Sequence, residues 1–416
     1  MIILEKILTS VVVFFLLTAP STADIISLNL YSDNRHMIFF SDFEFSHAGY
    51  VSFDISSLTV NSSTSFDPTH SGFVLQRREV QDQQNTSICP LDFKLNSAVF
   101  TFQDLSHAFN KSYPVTHPGM NSLFFVNCNG EGESFVTTEG RAELYNMDDG
   151  TTRNYLSAGL THLPFLYFFS SFIYLRFLGF WIKNKRCFHG IHLLMGGLLL
   201  MNYVQLICAA ADLYFVKVTG TPHGFDGLFY IFQLIRTVLL FTVITLIGTG
   251  WCLWKPYLEE CEIVILMFVI IVQVWANVDS ILIWKFDGPY NIYRERWTYS
   301  STSLDIICCF VIFVPIVLSV ISLKKNREAD ANAAMNLVRL CLFGIVVFLY
   351  VLFTRFLVRG LFPAWMNYGV QEISILVVCV VMFFIFRPLD HEDDDKKAVQ
   401  ISPSSYFSVR VSSSFS

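Results

Sequence analysis

Apolar and polar positions follow three regimes along this chain. At the start, an apolar run over residues 7–17 follows Glu5 and Lys6 and is broken by Pro20. It is shorter than the roughly 20 residues a spanning helix needs. Ser21-Thr22-Ala23 places small residues where a signal peptidase cuts, so residues 1–23 are expected to be a cleaved signal peptide. From 24 to 155 the period is two. Val51, Phe53 and Ile55 alternate with Ser52, Asp54 and Ser56, and Ala142 and Leu144 alternate with Arg141 and Glu143. Leu123-Phe124-Phe125-Val126 is a continuous apolar run leading to Cys128. Asp67-Pro68, His117-Pro118-Gly119 and Asn129-Gly130 are turn signals between such runs. Short strands punctuated this way predict an antiparallel β-sandwich.

After residue 155 the pattern changes to long apolar blocks, at 162–182, 190–213, 228–251, 261–283, 302–323, 337–358 and 365–386. Each has the length a bilayer demands, which predicts an all-α seven-helix membrane bundle over 156–386, followed by a tail over 387–416. Pro164 falls in a first turn, where it is tolerated. Pro315 lies inside the fifth block and should kink it.

Composition agrees with a membrane chain. Of 416 residues 53% are hydrophobic and only 15% charged, against about 25% charged in soluble proteins, so the apolar excess must face lipid. The net charge is −6 and no basic block occurs, which argues against nucleic acid as a partner.

Only Cys89 and Cys128, of ten cysteines, precede the first block. In an exported domain they are expected to form a disulfide, the alternative being two buried free thiols. The N-glycosylation sequons at Asn61, Asn85 and Asn110 all fall in the same β region. A signal peptide puts that region in the lumen or outside the cell, and seven crossings put the C-terminus in the cytosol; the excess of Lys and Arg in the cytosolic loops is small but agrees.

Charges within the blocks are expensive and need a reason. Asp212, Arg236, Asp279, Asp305, Arg355 and Glu372 come from helices two to seven, and all six fall in the lumenal half. They predict a hydrated polar cavity open to the lumen, suited to a polar headgroup, a peptide or a cation. Asp212, Asp279, Asp305 and Arg355 lie near helix ends, where snorkelling to the interface is the alternative. Arg236 and Glu372 lie about 10 Å deep, beyond the reach of a carboxylate, and an ion pair between them is one reading. His189 and His192 are three apart but belong to the opposite end of helix two, which argues against a metal site with the carboxylates. No zinc-protease, nucleophile-elbow or phosphate-loop pattern appears, so neither enzyme activity nor a cofactor is expected.

The membrane entry Tyr155-Leu156-Ser157-Ala158-Gly159, with Leu163-Pro164 and Leu166-Tyr167, resembles that of the lung seven-transmembrane receptor family, the GOLD-domain seven-transmembrane proteins. The likeness continues through Gly248-Thr249-Gly250-Trp251 with Lys255-Pro256, Gln273-Val274-Trp275-Ala276-Asn277-Val278 and Asp305-Ile306-Ile307-Cys308-Cys309, to Phe353-Thr354-Arg355 and Phe386-Arg387-Pro388. The short loops and tail look like the plant branch. Gly344 departs from it, standing where relatives often carry Arg. The resemblance implies a GOLD-like β-sandwich over a seven-helix bundle in Golgi, endosomal or plasma membranes. Its members are described as candidate G-protein-coupled receptors and as membrane-trafficking factors.

Two functional expectations follow. The first is a receptor that senses a lumenal or extracellular ligand and signals to a heterotrimeric G protein. Helix three lacks an acidic-Arg-Tyr triplet and helix seven lacks Asn-Pro-x-x-Tyr, so any coupling would use contacts unlike those of rhodopsin. The second is a trafficking chaperone or cargo receptor, for which Tyr406 and Val409 supply an adaptor-like tail pattern. A cation conductor or lipid-binding bundle is a third reading.

Overall fold

The computed structural model describes residues 25–62, 66–77, 89–92, 98–104, 109–129, 134–183, 190–221, 223–251, 253, 255–286, 303, 306–326, 331–358 and 364–386. The signal-peptide segment, Asn85, His189, Asp305 and the tail with Tyr406 and Val409 lie outside them.

Among the described residues ten strands form two antiparallel sheets. In the first, β1 (Ile25–Ser27), β9 (Ser134–Asp148), β4 (Gly49–Ser62) and β7 (Phe109–Pro114) lie side by side, with β2 (Leu30–Asp33) and β10 (Thr152–Asn154) also pairing β9. The second orders β3 (Met37–Phe45), β8 (Gly119–Asn127), β5 (Ser71–Arg77) and β6 (Ala98–Thr101). Alternation along β4 sends Val51, Phe53 and Ile55 into the core between the sheets. The register against β9 then slips between Ile55 and Ser57, leaving Ser56 as the extra residue. This bulge switches the inward set from odd to even positions, so Leu58 and Val60 pack on the same core. Its Ser56 hydroxyl donates to the Glu139 carbonyl at 2.8 Å.

The run 123–126 in β8 does not alternate because both faces of that strand are covered. Leu123 and Phe125 join the core with Phe43, Phe53, Phe73 and Phe100, while Phe124 and Val126 pack on the other side with Val74, Phe39, Leu91, Cys89 and Cys128. Cys89 and Cys128 form a disulfide that fixes this outer cover to the end of β8.

Seven helices are long and apolar enough to cross a membrane among the described residues. They are α1 (Leu163–Lys183), α2 (Gly190–Thr219), α3 (Phe225–Thr249), α4 (Glu260–Phe286), α5 (Ile306–Lys325), α6 (Ala331–Leu352) and α7 (Ala364–Ile385). One π-helical turn, Phe353–Leu357, extends α6. In α1 the buried residues Leu163, Tyr167, Ser171, Tyr174 and Trp181 form one inward stripe. Phe165, Phe169 and Ile173 face outward, as lipid contact requires. The middle helix is α3, with 61% of its most apolar stretch buried against 22% for α1. At its far end Gly248 brings α3 against Ile316 of α5, and Gly250 closes the helix with a left-handed φ of 78° that lets its N–H reach the Ile247 carbonyl. The break in α5 is a turn at Ile312, three residues before Pro315, whose ring leaves the Val311 carbonyl without its helical donor.

The β-domain is bonded onto one end of the bundle. The Tyr155 N–H donates to the Lys217 carbonyl at 3.1 Å, and Lys217 Nζ reaches Asp148 Oδ2 at 3.1 Å. From the other sheet Glu44 Oε2 accepts the Gly159 N–H at 3.1 Å, and the Glu44 N–H donates to Ser157 Oγ at 3.3 Å. Burial pushes the Asp148 carboxyl up, but hydrogen bonds from Asn154 and Lys217 and the Lys217 charge outweigh it and hold the group below its usual range. At the opposite end Trp181 Nε1 donates to the His192 carbonyl at 3.2 Å, and His192 Nε2 lies 3.2 Å from the Phe386 carbonyl, drawing α1, α2 and α7 together.

Candidate functional site

Arg236 lies on the buried face of α3, about 16 Å from the start of that helix, with 8% of its surface exposed. At that depth a guanidinium needs a partner, because desolvating a lone charge costs several kcal/mol. Glu372 of α7 provides it. Arg236 Nη1 donates to Glu372 Oε1 at 2.7 Å and to Oε2 at 2.6 Å. Tyr174 of α1, fully buried, donates through its hydroxyl to the Glu372 carbonyl at 3.5 Å. Three helices therefore meet on one polar group inside the bundle.

Asp212 lies on α2 nearer the β-domain, half-buried, and its Oδ1 has no hydrogen-bond partner among the described residues. Asp226, in the first turn of α3, is 4% exposed, and its Oδ2 likewise has no hydrogen-bond partner among the described residues. Asp212, Arg236 and Glu372 thus share the β-domain half of the bundle. Asp279 is in α4, but its side chain, like that of Arg355 in the π-helical turn, lies outside the described residues.

Asp226 carries no signal in the apolar pattern. Gly224-Phe225-Asp226-Gly227 reads as a turn ahead of the third block, and only its place directly before that block hints at a helix start, where an aspartate is favoured. Tyr174 is hidden for another reason, since one tyrosine in an apolar block is unremarkable until its hydroxyl is placed. Among the described residues no three His, Cys, Asp or Glu side chains converge as a metal cluster would require. On the β-domain Asn61 of β4 and Asn110 of β7 are both exposed.

Between α4 and α5, Gln273 Nε2 donates to Cys308 Sγ at 3.1 Å. Two of the family-like motifs are thereby in direct contact. The seven-transmembrane domain model of the GOST family matches residues 162–392, more than half of the chain. The chain belongs to the GOST family. A second model, the CAND6/7 N-terminal domain, matches residues 26–146 of this GOST protein, the β-domain. The protein is similar to candidate G-protein coupled receptor 6 of Arabidopsis thaliana, at 37% identity over 424 residues covering 95% of this chain and 98% of that protein. This GOST member is accordingly a receptor-like seven-transmembrane protein.

Proposed function

We propose that this protein is a receptor of the secretory-pathway or plasma membrane whose β-domain faces the lumen or cell exterior and whose bundle passes a stimulus to a heterotrimeric G protein in the cytosol. The observation that carries the reading is the mechanical continuity from β9 into α2, through Asp148–Lys217 and Tyr155–Lys217. A ligand that moves the β-domain moves the end of α2 with it. Across the interior, the Arg236–Glu372 pair joins α3 to α7 and gives the bundle a contact that is either made or broken, as a two-state device needs. The similar Arabidopsis thaliana protein is named a candidate G-protein coupled receptor, which supports the same reading.

The test is nucleotide-sensitive association. Full-length protein in lipid nanodiscs is mixed with purified heterotrimeric G proteins, without nucleotide and then with a non-hydrolysable GTP analogue. A complex that forms in the first case and dissociates in the second is expected. Failure to form any such complex with every Gα class of the source cell would sink the proposal. The trafficking alternative rests on Tyr406 and Val409, and a Tyr406→Ala variant that redistributes cargo glycoproteins would favour it instead.

A further inference from the structure

Among the described residues of the β-domain, Tyr31 and Phe135 are the large apolar side chains left exposed. Tyr31 keeps a hydroxyl for water and lies on β2, across β9 from β4. Phe135 has no polar atom to offer. It is the second residue of β9, at the end of that strand away from β10 and the membrane entry, and it is 38% exposed.

The register decides what stands beside it. Past the Ser56 bulge the even positions of β4 turn inward, so Val60 and its partner Val136 pack in the core. Asn61 and its partner Phe135 therefore project outward together. Residues directly opposite each other on antiparallel strands have Cβ atoms about 4.5–5.5 Å apart. Asn61 is itself exposed and opens the sequon Asn61-Ser62-Ser63. The neighbouring strand β7 pairs β4 along Tyr50–Ile55, short of Asn61. The sequon at Asn110 has a different setting. Its cross-strand partner is Asp54, whose Oδ2 accepts from Arg141 Nε at 3.0 Å, so that site is charged and offers no ring face.

We propose that Phe135 is the platform on which the sugar attached to Asn61 docks, and that the docked sugar clamps the far ends of β4 and β9. A pyranose ring has one face made largely of C–H groups, and an aromatic ring presents a negative face to them. The first N-acetylglucosamine, bonded to Asn61, is the sugar within reach of the phenyl ring. Its attachment is a transfer from a lipid-pyrophosphate oligosaccharide. A bond forms between Asn61 Nδ2 and C1 of the sugar, the C1–O bond to the pyrophosphate breaks, and the amide proton leaves with the pyrophosphate. The proposal rests on the lumenal or exterior placement of the β-domain given above, and it holds whether or not the chain couples to G proteins.

The test is amide hydrogen exchange of the full glycosylated chain in nanodiscs, read on peptides covering 58–62 of β4 and 134–138 of β9. Mass spectrometry of the glycopeptides reports occupancy at Asn61 and Asn110. Asn61→Gln is expected to speed exchange in both peptides roughly 2–10-fold, the factor that an aromatic stack of ordinary strength carries. Wild type trimmed by an endoglycosidase to a single N-acetylglucosamine should keep the slow rates. Asn110→Gln should leave both peptides unchanged. In a Phe135→Thr background, Asn61→Gln should have no further effect. The same acceleration with and without the ring overturns the proposal, and so does a bare Asn61. In that last case a sugar on Asn110 leaves the lumenal placement standing, whereas two bare asparagines remove it as well. If Phe135→Thr does not fold, Phe135→Leu, which keeps an apolar side chain without a ring face, decides by the same criterion.

Discussion

Arg236 and Glu372 are 136 positions apart in the chain, yet the guanidinium of one lies 2.6 Å from the carboxylate of the other in the bundle interior. The pair satisfies two charges that neither helix could carry into an apolar environment alone. Removing one partner should cost about 3–5 kcal/mol, because it strands the other. Arg236→Met and Glu372→Leu are each expected to lower the melting temperature of the purified protein sharply. The double variant, with neither member of the pair stranded, should recover most of the loss. A double variant less stable than both single ones would show that the pair is not the reason these residues are tolerated there.

The joint under the β-domain should be acid-sensitive. The Asp148 carboxyl is held below the ordinary aspartate range in the folded protein by Asn154 and Lys217. A depressed folded value means that the contribution is present above the unfolded value and is lost as pH falls through the folded one, so the loss begins below about pH 4. The Asp148 side chain is 39% exposed, so solvent screening keeps the effect under about 1 kcal/mol. Melting curves in acid should fall more steeply for wild type than for Asp148→Asn. Equal slopes would remove Asp148 from the joint.

Gly248 is where α3 and α5 touch. A Cβ there would come within 2.8 Å of Ile316 Cγ1, so Gly248→Ala must push the helices apart or twist Ile316 off its rotamer, at a cost of about 1–3 kcal/mol. Trimming the neighbour should relieve the clash. Ile316→Ala, which removes the clashing Cγ1, combined with Gly248→Ala is expected to lose less stability than the two single losses summed, and strictly additive losses would contradict the contact.

Asn61 and Asn110 both have exposed side chains on the first sheet. If that sheet faces the lumen, each should carry a glycan. Asn61→Gln and Asn110→Gln should then each increase gel mobility by one glycan, and glycosidase treatment should abolish the difference. Unmodified asparagines in a chain that has reached its membrane would reverse the proposed orientation.

The architecture was legible because it rests on period. Alternation at 51–56 marks β4, and seven apolar blocks of bilayer length mark seven helices. What resisted reading is what depends on meetings between distant segments. The Ser56 bulge leaves no trace in hydropathy, because only the slip against β9 reveals it. Helix α2 continues to Thr219, past the apolar block ending at 213, because its last turn carries the Lys217 contacts to the β-domain rather than a face toward lipid. The depth of Arg236 demanded a partner, but nothing local distinguished Glu372 from the other carboxylates. Asp226 looked like part of a turn because its helix begins before the apolar block does.

The same ion pair sets a condition on biosynthesis. The third helix enters the bilayer carrying its guanidinium long before the seventh has been made; at a translation speed of about 5–20 residues per second the wait is roughly 7–27 s. Throughout that interval the nascent protein, growing from three helices to six, carries an unanswered cation that must be kept hydrated or sheltered by the insertion machinery. Any message truncated ahead of the last helix would leave that intermediate permanently unfinished and mark it for disposal.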